Sequence, residues 1–207
     1  PDIRPCLPKA FFKNINEMSL NDIAFVLMRS LCGDQISSEI IKQIVDTSIN
    51  FDIPLQKLAA NRYILELFHG PTMSYEDIGA RLSASILNYA WDGKNRPRDV
   101  VVVTSSGDGG SAVAHAFQSD TNIRVCVLFP SGRLSKDQIS QFAYLSNVLP
   151  IEVDGSLYDC QLTAKKLLES EYGQNVIFAS ENLTSLVREL PYLICYFHAY
   201  ARAIAYG

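Results

Sequence analysis

Two stretches of the 207-residue sequence gather groups that chemistry can use. The first, LFHGPTMSYEDIGARL (residues 67–82), places a histidine, several hydroxyls and two adjacent acids around a Gly-Pro turn. His69 is a candidate proton carrier near neutral pH, and Glu76 a candidate solitary base. Glu76 and Asp77 are neighbours, about 100° apart on a helix, so they form no acid–base pair on one face. Ser74 reads as the N-cap of a helix with Asp77 at its third position and Ile78, Leu82, Ile86 and Tyr89 on its buried side. Glu76 then falls in the first turn, where the macrodipole favours a carboxylate by about 0.3–1 kcal/mol and disfavours an amine by a similar amount.

The second stretch, VVVVTSSGDGGSAVAHAF (residues 100–117), reads as an apolar strand, a Ser/Gly loop and a helix. Free amides at a helix N-terminus, aided by the macrodipole, suit a carboxylate or phosphate. Ser105, Ser106, Gly107, Asp108, Gly109 and Gly110 are therefore the anion-binding candidates. The Asp108 charge opposes an anion, and glycines also serve any tight strand-to-helix turn, so both readings stay open. His115, on the helix after the loop, reads either as a general acid or base near neutral pH or as a hydrogen-bonded framework histidine, and His198, in an aromatic helix, as a framework histidine.

Five cysteines (Cys6, Cys32, Cys126, Cys160, Cys195) show no C-x-x-C spacing. Neither a metal site nor a disulfide framework is expected from them. Unpatterned thiols suggest a cytoplasmic or other reducing compartment, or an organelle if a leader has been removed. Cys126 and Cys195 lie in apolar runs and read as buried, inert thiols. The net charge of −4, with both signs interspersed, offers no basic stripe, so no nucleic acid is expected. No membrane span is expected either, because the most apolar tract, residues 191–207, is short and contains Arg202.

The elements that must position these groups follow from periodicity. Ser19 caps a helix with Ile23, Val26, Leu27 and Leu31 on its apolar side, stopped by Gly33. A second helix from about Ser38 carries Ile41, Ile44, Val45 and Ile49. RYILELF (residues 62–68) reads as a short strand and HGPT as its turn. Four strands then alternate with helices: 100–104, 124–129, 150–153 and 176–179, with helices starting near Gly109, Ser135, Leu157 and Ser185. The fold class is thus α/β: a doubly wound, parallel, four-stranded sheet with flanking helices, preceded by a mostly helical part with a short strand. DGKNRPRD (residues 92–99) is the expected hinge, giving an N-terminal helical part over 1–99 and a small α/β domain over 100–207.

The stretches LELFHGPTMSYEDIGAR, TSSGDGGSAVAHAF, VLFPSGRLS and EVDGSLYDCQ resemble bacterial threonine synthase, a pyridoxal-phosphate family of fold type II, along essentially the whole chain. In that family the turn after HGPT reads roughly Leu/Met-Ala-Phe-Lys-Asp, and its lysine forms the Schiff base with the cofactor. Here the resemblance puts Glu76 in the lysine place, so covalent cofactor binding is not expected. The family loop resembles Thr-Ser-Gly-Asp-Thr-Gly and holds the amino-acid carboxylate; its second threonine is Gly109 here. A later family stretch with Asn and Arg is met by NLTSLVR, keeping Asn182 and Arg188 while Leu183 and Ser185 replace polar partners. The resemblance covers only the N-terminal half of the family pattern and leaves out the glycine-rich loop that cradles the cofactor phosphate. It implies that residues 1–99 include a remnant of the larger cofactor domain.

Tyr192, Tyr196, Phe197, Tyr200 and Tyr206 lie at helical spacing near the C-terminus and read either as a core helix covering the sheet or as an interface. These features together suggest a degenerate, threonine synthase-like pseudoenzyme, not an enzyme in its own right, serving as a binding or structural subunit with a protein partner. Two alternatives stand beside it: a cofactor-free enzyme or small-anion or amino-acid-binding protein using the 105–110 loop, and a fragment of a longer threonine synthase-like lyase.

Overall fold

A computed structural model describes residues 7–91, 99–118, 123–171, 173, 176–180 and 186–206. The chain opens with α1 (Lys9–Asn14), a 3-10 turn (Ile15–Glu17), α2 (Leu20–Cys32) and α3 (Ser38–Ser48). Ser19 starts α2 as expected: its hydroxyl accepts the Asp22 N–H at 3.1 Å, and the Asp22 carboxylate accepts the Ser19 N–H at 3.0 Å. Donation to its carboxylate from the Ser19 hydroxyl at 2.6 Å, and then from the Ser19 N–H, holds Asp22 below the usual carboxylate range. Ser37 caps α3 one way only, its hydroxyl accepting the Ile40 N–H at 3.4 Å, and the apolar sides of both helices are buried against each other.

A hairpin follows, β1 (Leu55–Ala59) antiparallel to β2 (Arg62–Leu65), closed by Asn61 in the left-handed conformation at φ 60°. Only β2 is visible in the sequence pattern. None of the β1 residues is β-branched or aromatic, and all but Leu55 are exposed, so they give no alternating signal.

Helix α4 (Glu76–Trp91) leads to the sheet, whose strands and helices are β3 (Asp99–Thr104), α5 (Asp108–Ala116), β4 (Ile123–Pro130), α6 (Lys136–Ala143), β5 (Val148–Val153), α7 (Leu157–Glu169) and β6 (Val176–Ser180). The order is β5-β4-β3-β6 with every pair parallel. Side chains alternate across it. Val101, Val103, Val125 and Val127 pack under α5 and α6, while Val102, Cys126 and Leu128 pack against Cys160 and Ala164 of α7. From β3 the chain moves outward to β4 and β5, then returns past β3 to β6, so its direction reverses between β3 and β6. That reversal makes the sheet doubly wound, and the Ser/Gly loop leaves β3 at the reversal point.

The last helix, α8 (Leu186–Ala205), corrects the expectation that it covers the sheet. Leu190, Ile194, Cys195 and Ala201 join the helical core formed by α1–α4. Helix α4 serves both layers, giving Ile78 and Leu82 to the helical core and Ala84 to the sheet. Residues 92–98 of the expected hinge lie outside the described residues, as do Asn182, Leu183, Ser185 and the Arg188 side chain. Burial raises the thiol pKa of Cys126 and Cys160, and that of Cys195 to about 11, which leaves them inert. Among the described residues no cluster of metal ligands occurs and no helix is long and apolar enough to cross a membrane.

Candidate functional site

The turn before α4 is held by one buried carboxylate. Asp77 accepts the Thr72 N–H at 2.9 Å and the Thr72 hydroxyl at 2.8 Å, and it is 1% exposed. Pro71 suits the second position of the turn that Met73 closes by donating to the Gly70 carbonyl at 3.0 Å. A Cβ on Gly70 would lie 2.8 Å from the Asp77 Cβ, so only glycine fits there. Met73 takes the left-handed conformation at φ 57°, uncommon for a side-chain-bearing residue, with its side chain outside.

The helix starts at Glu76, so Asp77 is its second residue, one place earlier than the capping pattern implies. Ser74 acts through its hydroxyl, which accepts the Glu76 N–H at 3.2 Å, and through its carbonyl, which accepts the Asp77 N–H. Glu76 is half-buried. Its carboxylate accepts a hydrogen bond from the Tyr75 hydroxyl, the main reason that the Tyr75 pKa is pushed well up; Tyr192, its ring 6.1 Å from that of Tyr75, adds to the effect. His69 pairs with Glu66, Nε2 to Oε2 at 2.7 Å, and stacks on Phe68 at 4.7 Å. The turn thus holds two local pairs, Tyr75 with Glu76 and His69 with Glu66.

The Ser/Gly loop is built differently. Ser105 is fully buried, and its hydroxyl accepts the N–H groups of Gly107 at 3.0 Å and Gly110 at 2.9 Å while donating to the Gly107 carbonyl at 2.8 Å. Its polar capacity is used inside the loop, which removes it from the groups facing a ligand. A Cβ on Gly110 would stand 2.7 Å from the Ser105 Cβ and 2.9 Å from Val127 Cγ1; one on Gly107 would stand 2.8 Å from Gln138 Nε2. Packing thus requires glycine at 110, whereas at 107 the end of the flexible Gln138 side chain can swing aside. Ser106 and Asp108 are exposed, and Gly109 is partly so.

Sequence reasoning missed two groups beside the loop. The Oγ1 of Thr104 and the Oγ of Ser111 are buried and find no hydrogen-bond partner among the described residues. Their only signal was a hydroxyl at each end of the TSSGDGGS run. The framework histidines sit as expected: His115 Nε2 donates to the Gln141 carbonyl at 3.0 Å, and buried His198 donates to the Ile53 carbonyl at 2.8 Å. Burial lowers the His198 pKa.

The aromatic residues of α8 divide. Phe197 turns inward, 5.4 Å from Phe11, and Tyr206 stacks on Tyr63 at 5.7 Å and donates to the Leu55 carbonyl at 2.9 Å. Tyr196 and Tyr200 face outward, 74% and 54% exposed, in line with Tyr192.

No family model matches the chain. Among individual proteins, threonine synthase from Buchnera aphidicola subsp. Baizongia pistaciae is 33% identical over 208 residues, covering 97% of this chain and 47% of its own length. Threonine synthase from Escherichia coli is 31% identical over 201 residues, covering 95% and 46%. In three dimensions the chain is similar to the crystal structures of E. coli threonine synthase, with a TM-score of 0.86 at 28% identity, and of pyridoxal-phosphate-bound threonine synthase from Brucella melitensis, with 0.85 at 27%. These cover 97% and 98% of this chain, and 46% and 45% of theirs. The chain spans about half the length of the relatives it matches. Sequence and fold together show the chain to be a homologue of the N-terminal half of threonine synthase.

Proposed function

We propose that this chain is a threonine synthase-like pseudoenzyme that carries no Schiff-base chemistry and serves as a binding or structural component of a larger assembly. The observation that carries the reading is Glu76. It opens α4 where the family resemblance puts the cofactor lysine, and its carboxylate is engaged by the Tyr75 hydroxyl. A carboxylate forms no imine with an aldehyde. The sequence has no lysine between Lys57 and Lys94, so no neighbour supplies the missing amine along this turn. The residues present therefore do not fit covalent pyridoxal phosphate. The direct test is to incubate the protein with pyridoxal phosphate, reduce with borohydride and map the peptides. We expect only scattered substoichiometric labelling, and a stoichiometric adduct on any one lysine would overturn the reading. Glu76→Lys serves as the positive control.

A second reading is favoured by the hydroxyls of Thr104 and Ser111, unpaired among the described residues, beside the loop at the chain-reversal point of the sheet. Buried hydroxyls without partners cost stability unless something satisfies them. A small carboxylate or phosphate held near Ser106 and the first turn of α5 would do so, in a cofactor-free binding protein or catalyst with His69 or Glu76 moving a proton. Calorimetry with threonine, phosphohomoserine and inorganic phosphate tests this. Saturable heat weakened by Ser106→Ala supports it, and no heat with all three rejects it. The third reading, a fragment of a longer threonine synthase-like lyase, agrees with the half-length match, and lengthening the chain leaves residue 76 unchanged.

A further inference from the structure

We propose that the outer edge of the sheet, along β5, is closed to strand addition by Pro150, so that copies of this chain do not join by extending the sheet. The inference is independent of the reading of position 76. Strand β5 ends the order β5-β4-β3-β6, and among the described residues no strand pairs with its outer side. Its sequence, VLPIEV (Val148–Val153), holds one charge, at Glu152.

The side chains alone would make this an inviting edge. Leu149 lies beside Cys126 and Ile151 beside Leu128, on the side of the sheet that carries α7. Helix α7 packs over β3, β4 and β6, and the two β5 side chains stand past its cover, 58% and 37% exposed. An apolar edge strand with a row of unpaired N–H and C=O groups is a template for another chain.

The backbone of β5 withholds most of that row. In a parallel ladder alternate residues of a strand bond to one neighbour, and those between them turn their N–H and C=O the other way. The Asn147 carbonyl accepts the Val125 N–H at 2.9 Å and the Val153 carbonyl accepts the Ser131 N–H at 2.8 Å, with no shift of register between them. Leu149, Ile151 and Val153 therefore bond to β4, and Val148, Pro150 and Glu152 face outward. Pro150 has no N–H, and that of Val148 is used by the Leu145 carbonyl at 3.1 Å. Glu152 keeps the one outward N–H of the strand, beside three outward carbonyls. A second strand would meet the Pro150 ring where its own carbonyl must approach a donor. At 149 or 151 a proline would remove a bond to β4, whereas at 150 it removes none and guards the centre of the edge.

Pro150→Val tests this by restoring the missing donor with a residue suited to strands. Two copies paired about a two-fold axis would then gain two hydrogen bonds, roughly tenfold or more in association constant. Sedimentation of the natural protein, with and without the substitution, reads that gain, and hydrogen exchange locates it. In the parent the Glu152 amide should exchange freely at every concentration; in Pro150→Val the amides of residues 150 and 152 should become protected as concentration rises. The double variant Pro150→Val/Glu152→Pro moves the proline to the next outward position, keeps every bond to β4 and should return to the parent's behaviour. Association unchanged by Pro150→Val overturns the proposal. So does a Glu152 amide that concentration already protects in the parent, or a double variant that associates as strongly as the single one.

Discussion

Thr72 gives both its backbone N–H and its hydroxyl to a single buried carboxylate, that of Asp77, at 2.9 and 2.8 Å. This clasp, closed over Gly70, fixes where α4 begins. Replacing Asp77 by alanine leaves both Thr72 donors unsatisfied, so the expected loss is about 2–4 kcal/mol. Asp77→Asn keeps one acceptor and should lose less. Urea unfolding curves check this, and an unchanged midpoint for Asp77→Ala would refute the clasp.

Position 76 should behave in the opposite way. Glu76→Lys sets an amine against the positive end of α4 and should lower stability by about 0.3–1 kcal/mol, an effect that shrinks as salt is added. Thermal melts at low and high ionic strength measure it.

The same carboxylate controls its neighbour. Because the Glu76 hydrogen bond is the largest cause of the raised Tyr75 pKa, Glu76→Gln should move the Tyr75 ionisation to lower pH. Ultraviolet titration of the variant against the parent reads the shift, and superimposable curves would refute the pairing.

His198 makes stability depend on pH. Its folded pKa lies below 6.5 because burial disfavours the charged ring, so the unfolded chain binds the proton more readily. Stability should therefore fall as pH drops below about 6.5, by at most about 1.4 kcal/mol per pH unit, and level off below the folded pKa. His198→Gln keeps a donor for the Ile53 carbonyl and removes the titration. Comparing both proteins at neutral and mildly acidic pH isolates the contribution.

Gly110→Ala should push α5 away from the sheet, because the new methyl meets the Ser105 Cβ and Val127. The expected cost is about 1–3 kcal/mol. Far-ultraviolet melting shows it, and a neutral result would mean that the loop has slack.

Much of the framework is legible in the sequence. Ser19 and Ser135 announce helices because a hydroxyl three residues before a free amide is a local, short-range signal. Runs such as VVVV and VCVLF announce strands buried on both faces. The destination of α8 was not legible, since a helix without charge fits a sheet and a helical layer equally well and only long-range packing decides. Nor was the role of Ser105: a hydroxyl in a glycine loop reads the same whether it faces a ligand or, as here, closes the loop on itself. The capping pattern put Glu76 in the first turn of α4 but began the helix one residue early, and its partner Tyr75 was not legible at all.

Adjacent residues on α4 divide two duties. Asp77 holds the architecture from inside, while Glu76 stands half-buried at the helix start beside Tyr75. Inheritance of the scaffold is thereby uncoupled from inheritance of the reaction. A lineage can exchange the residue at 76 at little cost to folding, so the shape of the turn and the group it presents are free to vary separately.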